Sequence, residues 1–169
     1  MKIAFVYGSL LQGGAERVIV NLANHMCNYY DVSIIIFSEK ESVYKLSSKV
    51  KLMYPDKIKT GRSLLRRASR FVYRNKFLQS NIKKFDCIIS FNTYLAMKCK
   101  LLSPRTKVIG SERTNPFLAK TLKERIAIKF SYLLDGFVFQ TKGASEYYPK
   151  ETQDKAYIIP NAFWGKNII

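Results

Sequence analysis

The apolar positions of this chain fall into short runs separated by longer stretches of helical period. The runs Lys2–Gly8, Asp31–Phe37, Val50–Tyr54, Asp86–Phe91, Lys107–Ser111, Gly136–Gln140 and Ala156–Pro160 predict strands. Several are Ile/Val-rich on both faces, the pattern of a parallel sheet covered on both sides. Between them, Gly14–Asn28, Arg62–Ser80, Thr93–Leu102 and Leu118–Leu134 predict helices, with a short turn near Gly143–Tyr148. Strand and helix in alternation build right-handed βαβ units. The expected fold is α/β, a Rossmann-like, doubly wound, mainly parallel sheet of about six or seven strands with helices on both faces.

A length of 169 residues suits one domain, and 47% apolar residues suffice for its core. No stretch reaches the roughly 18 uncharged apolar residues of a membrane span. The opening Met1-Lys2-Ile3-Ala4-Phe5-Val6-Tyr7-Gly8 is too short for a signal peptide, and Gly-Gly-Ala-Glu-Arg stands where a cleavage site would lie. It reads as a buried first strand, so the expected location is the cytoplasm. Cys27, Cys87 and Cys99 have no metal spacing and each lies in an apolar run, which points to buried reduced thiols.

Charge changes the picture most. Twenty-nine Lys and Arg against 12 Asp and Glu give +17. Such a surplus implies a polyanionic partner: nucleic acid, an anionic membrane surface or a phosphorylated substrate. No recognition-helix motif or aromatic RNA-binding signature is present, which leaves nucleic acid the weakest of the three. From Lys57 to Lys84 there are ten Lys or Arg and no acidic residue. Leu64, Leu65, Ala68, Phe71, Val72, Leu78 and Ile82 are read as the face of this helix that packs on the sheet. Arg62, Arg66 and Arg70 lie opposite, with Tyr73 and Phe77 among them. Basic residues interleaved with aromatics suit a membrane interface, whereas a charge run alone is ordinarily a solvated face. Lys120, Lys123, Arg125 and Lys129 on the next basic helix extend the patch.

Three polar clusters follow predicted strands. The first is Gly8-Ser9-Leu10-Leu11-Gln12-Gly13-Gly14-Ala15-Glu16-Arg17-Val18. Gly13 and Gly14 let backbone approach a ligand, and the free N–H groups of a helix start attract anions. The same pair also serves as a plain turn. The spacing is not G-x-G-x-x-G, and no acidic residue closes the second strand, so a redox dinucleotide is not expected. The second cluster, Ser111-Glu112-Arg113-Thr114-Asn115-Pro116, follows a buried run. Glu112 can take a proton or hold a hydroxyl, and Arg113 can pair with phosphate; a mutually neutralising surface pair is the plainer alternative. The third combines Gln140-Thr141-Lys142-Gly143 with Ile158-Ile159-Pro160-Asn161, a strand ending in a redirecting turn.

In this order the three clusters resemble the amino-terminal, acceptor-side domain of family 4 retaining glycosyltransferases of GT-B architecture, from Met1 to about Phe163. The resemblance implies two Rossmann-like domains facing each other across a cleft, with nucleotide-sugar held mainly by the second. It assigns Gly13, Gly14, Glu16 and Arg17 to the loop near the donor phosphates. Ser111, Glu112, Arg113, Asn115, Thr141 and Asn161 would meet donor sugar and acceptor, with Glu112 the candidate catalytic group. Many relatives carry a histidine near that strand end; here His25 lies mid-helix and takes no such role. No metal or cofactor is implied beyond the nucleotide-sugar substrate.

On this reading residues 1–163 form the acceptor-side domain and 164–169 begin a donor-binding domain that is absent. The expected function is hexose transfer to a lipid-linked saccharide in surface-polysaccharide synthesis, at the inner membrane face, with this half inactive alone. A non-catalytic acceptor-binding or membrane-recruiting subunit is the alternative, and a nucleic-acid-binding module the remote one.

Overall fold

The computed structural model describes residues 1–38, 42–55, 63–113 and 121–160. Its centre is a seven-stranded sheet: β1 (Lys2–Val6), β2 (Asp31–Ile35), β3 (Lys51–Met53), β4 (Cys87–Ser90), β5 (Lys107–Glu112), β6 (Gly136–Phe139) and β7 (Ala156–Ile158). The order is β3-β2-β1-β4-β5-β6-β7, and every neighbouring pair is parallel. The expected α/β doubly wound fold is therefore what the chain adopts. All strand carboxyl ends lie along one edge, and chain order reverses between β1 and β4.

Strand alternation sorts the core into two layers. Phe5, Val32, Ile34 and Phe91 pack under α1 (Gly14–Met26) with its buried Ile19, Val20 and Ala23. Ala4, Val6, Ile35, Ile88, Val108, Phe137 and Phe139 face the opposite side. That side is covered by α2 (Leu64–Ile82), α3 (Thr93–Leu102), α4 (Leu122–Lys129), and the short α5 (Lys142–Ser145) and α6 (Lys150–Gln153). Polar caps fix the helix starts. The side chains of Ser63, Asn92 and Thr141 accept from Arg66 N, Leu95 N and Ala144 N. Thr121 and Glu124 form a reciprocal capping box on α4. Gly110 is needed for packing: a Cβ there would stand 2.6 Å from the Phe137 ring.

Three expectations are corrected. The apolar face assigned to α2 does not lie wholly on the sheet. Leu78 and Ile82 are buried, but Leu64 is 79% and Leu65 83% exposed, and Phe71 and Val72 are also exposed. The cause is length. Nineteen helical residues run about 28 Å, whereas four-residue β4 runs about 13 Å, so the first turns overhang. Phe77, expected on the outward face, is instead half-buried against the core. The helix expected over Leu118–Leu134 is α4 followed by a 3-10 turn, Ser131–Leu133, where Ser131 Oγ donates to Ile128 O at 2.7 Å. All three cysteines are buried and free.

Candidate functional site

In open parallel sheets ligands bind beyond the strand carboxyl ends, where the strand order reverses. Here the reversal separates β1 from β4. The Gly13–Gly14 turn follows β1, Phe91 and Asn92 follow β4, and Ser111–Arg113 close β5. The strand that leads into the glycine turn and the strand that carries Glu112 are thus two places apart in one sheet, about 10 Å at ordinary strand spacing. They do not fall on opposite edges.

The glycine turn is held rather than loose. Tyr44, in the β2–β3 connection, accepts from Gly13 N at 3.1 Å and donates to Gly13 O at 2.8 Å. The Glu16 carboxylate folds back so closely that a Cβ on Gly13 would stand 2.2 Å from its Oε2. The backbone there is extended, φ 178°, so a side chain at this position would meet the Glu16 carboxylate rather than backbone strain. Gly13 N–H is consumed by Tyr44, which leaves Gly14 and the residues after it as the open helix start. Arg17 is exposed beside them.

Alternation at the end of β5 divides the second cluster. Ser111 and Arg113 turn to the α1 side: Arg113 Nε donates to Ser111 Oγ at 3.0 Å and its guanidinium lies 4.6 Å from the Phe91 ring centre. Burial lowers the Arg113 pKa. Glu112 turns the other way and is 8% exposed. Its Oε2 accepts from Thr93 Oγ1 at 2.9 Å and from Tyr148 OH at 2.7 Å, and its Oε1 accepts from Arg113 N at 3.1 Å. Thr93 opens α3, so the carboxylate also meets the positive end of that helix. Tyr148 is wedged against Phe137 and Phe139, with ring centres 4.9 and 4.8 Å away. Burial and then the Glu112 charge push its phenol pKa well up, so it stays a donor. Tyr7, at the end of β1, is raised by burial and then by Glu16 and Glu112.

Tyr7, Phe91 and Tyr148 were not singled out by sequence; each sits in an apolar run or an unremarkable turn. Thr141 follows β6 as predicted, but its side chain caps α5. Arg62, Asn115 and Asn161 lie outside the described residues. Among the described residues no group of three or more His, Cys, Asp or Glu is gathered.

A second feature opens beside α3. Among the described residues, a groove of about 410 Å³ is lined by five cations, Arg67, Arg70, Arg74, Lys98 and Lys123, together with Phe37, Phe71 and Tyr94, and by no acidic residue. Arg74 donates to Phe37 O at 2.9 Å, while its buried Nε has no partner. Lys98 Nζ lies 5.3 Å from the Phe71 ring centre and 6.0 Å from that of Phe37. Burial lowers the pKa of Arg74, with Arg70 adding to it. Burial likewise lowers that of Lys98, and Arg74 and Lys123 push the same way. Crowded, half-desolvated cations favour an anion in the groove. Sequence spacing did not show this, because the residues come from three helices and a strand end.

No known family profile matches the chain. It is 37% identical over 138 residues to the GalNAc-alpha-(1->4)-GalNAc-alpha-(1->3)-diNAcBac-PP-undecaprenol alpha-1,4-N-acetyl-D-galactosaminyltransferase of Campylobacter jejuni, a match that spans 78% of this chain and 38% of that protein. Its fold is that of the Anabaena protein HepE solved with UDP and glucose (TM-score 0.64, 14% identity, 96% of this chain and 45% of that one). The lipopolysaccharide outer core galactosyltransferase WaaB is equally similar (TM-score 0.65, 17% identity, 96% and 46%). The chain has the Rossmann-like fold of one domain of these GT-B proteins. It spans about two fifths of the curated relative's length. The glycine turn and the β5 end thus both follow strands at the carboxyl edge of the sheet, and the cationic groove opens on the α2–α3–α4 side.

Proposed function

We propose that this domain is the acceptor-binding lobe of a hexosyltransferase that moves a sugar from a nucleotide-sugar to a lipid-diphosphate-linked saccharide, and that it needs a second lobe to turn over. The observation that carries this reading is the groove of Arg74 and Lys98. It presents several cations and aromatic walls to a diphosphate joined to an apolar chain. The lipid-diphosphate acceptor in the Campylobacter relative's name supports the same class of substrate.

In this scheme Gly14 and Arg17 approach the donor phosphates when the lobes meet, and Ser111 and Arg113 line the sugar crevice. Thr141 belongs to the same proposed rim. Glu112, bound by Thr93 and Tyr148, holds the strand end that carries Ser111 and Arg113. The leaving phosphate is stabilised mainly by the other lobe, and no metal is required. The exposed start of α2, with Arg66, Arg70, Tyr73 and its bare leucines, supports docking on an anionic membrane, and so a peripheral position on its cytoplasmic face.

The test joins this chain to a carboxyl-terminal donor lobe and follows labelled sugar onto a polyprenyl-diphosphate saccharide. Transfer is expected only with both lobes, and Arg74→Ala with Lys98→Ala should lower it at least tenfold. Equal transfer to the same saccharide without its diphosphate lipid would overturn the reading. Tight acceptor binding with no transfer by the joined protein would favour a non-catalytic recruiting subunit.

A further inference from the structure

We infer that α4 is a second membrane contact, lying in the headgroup layer of an anionic bilayer alongside the overhanging start of α2. This rests on the membrane docking just proposed and extends it to a helix whose apolar side had no assigned role.

Leu122, Ile126 and Phe130 follow one another at a spacing of four, which places them on one stripe of the helix. They are 72%, 48% and 39% exposed, while Ala127 on the opposite side is buried. Leu133, in the 3-10 turn that follows, prolongs the stripe. Single exposed apolar residues need no explanation, but a continuous row does. The row is rigid, because the Thr121–Glu124 capping box fixes its start and Ser131 ties its end to Ile128. Lys123 flanks the row on one side and Lys129 on the other, and both are exposed.

An apolar stripe between cations is the pattern of a helix lying in a membrane interface. Position agrees with pattern. Lys123 shares the cationic groove with Arg67, Arg70 and Phe71 of α2, so the two helices border one opening. A bilayer reached by both would bring anionic headgroups over that opening. The net charge of +17 selects among occupants: it repels a second copy of the chain and attracts anionic lipid.

The experiment measures binding of the 169-residue chain to phosphatidylcholine vesicles with and without phosphatidylglycerol. Leu122→Glu with Ile126→Glu should lower affinity for the anionic vesicles at least tenfold. Leu64→Glu with Leu65→Glu should do likewise, and Leu22→Glu on α1 should do nothing. A fluorophore on Ile126→Cys should be quenched by lipid-borne quenchers, which reads contact without relying on the charge variants. If the α4 pair binds as the parent does and the label stays unquenched while the α2 pair fails, α4 is not a contact and docking through α2 stands. If the parent binds no anionic vesicle, both ideas fall. A lipid-free dimer that hides the Ile126 label would also overturn the inference.

Discussion

The Tyr148 hydroxyl stands 2.7 Å from Glu112 Oε2, and the same oxygen accepts from Thr93. The carboxylate is thereby fixed from two sides, by α3 and by the segment after β6. A hydrogen bond to a buried charge contributes about 1.5–3 kcal/mol, and losing a donor leaves that charge short of partners. Tyr148→Phe, which keeps the ring against Phe137 and Phe139, should destabilise the domain by about that amount in urea unfolding. Tyr157→Phe, on an exposed tyrosine of β7, is the comparison. Equal midpoints for the two variants would show that Tyr148 does not hold Glu112.

Asp135 joins α3 to β5. Lys100 Nζ donates to it at 2.8 Å and Val108 N at 2.7 Å. Burial pushes its pKa up, but these two bonds and the nearby Lys100 and Lys155 charges more than offset this and bring it below the ordinary carboxylate range. A carboxylate with a depressed folded pKa adds stability above its unfolded pKa, and that stability is lost as pH falls through the folded value. Thermal midpoints should therefore drop as pH descends below the ordinary range. Asp135→Asn should be less stable near neutrality and show a flatter decline. Parallel pH curves for parent and variant would contradict this.

How much of this was legible beforehand differs by level. The strands were, because each apolar run has nothing but apolar neighbours to meet in a two-sided sheet. That Gly13–Gly14 and Ser111–Arg113 both follow carboxyl ends of strands was legible too, because all the strands are parallel. The direction of Glu112 did not, since one residue of register decides which face a strand-end side chain takes. The overhang of α2 was also hidden: its apolar spacing is that of a packed helix, and only its length against β4 leaves Leu64 and Leu65 bare. The groove could not be read at all, because Phe37, Arg74 and Lys98 are brought together only by helix packing.

Cys99 offers a check on that packing. It is fully buried under α3, and burial pushes its thiol up to about 12. Only the thiolate reacts with disulfide reagents, so Cys99 should stay unmodified at pH 8 while the domain is folded and react at once in denaturant. Modification of Cys99 in the folded state as fast as in denaturant would mean that α3 does not pack as described.

Tyr44 gives the last prediction, and it separates two roles of the glycine turn. Its hydroxyl meets both the N–H and the carbonyl of Gly13, yet it comes from a connection far along the chain. Tyr44→Phe removes both bonds and little packing. If the turn must be held to face the second lobe, the joined two-lobed protein should lose several-fold in kcat/KM for the nucleotide-sugar and little for the acceptor. Gly13→Ala should do worse, because its methyl group would displace the Glu16 carboxylate. A loss confined to the acceptor would place the turn on the acceptor side of the crevice instead.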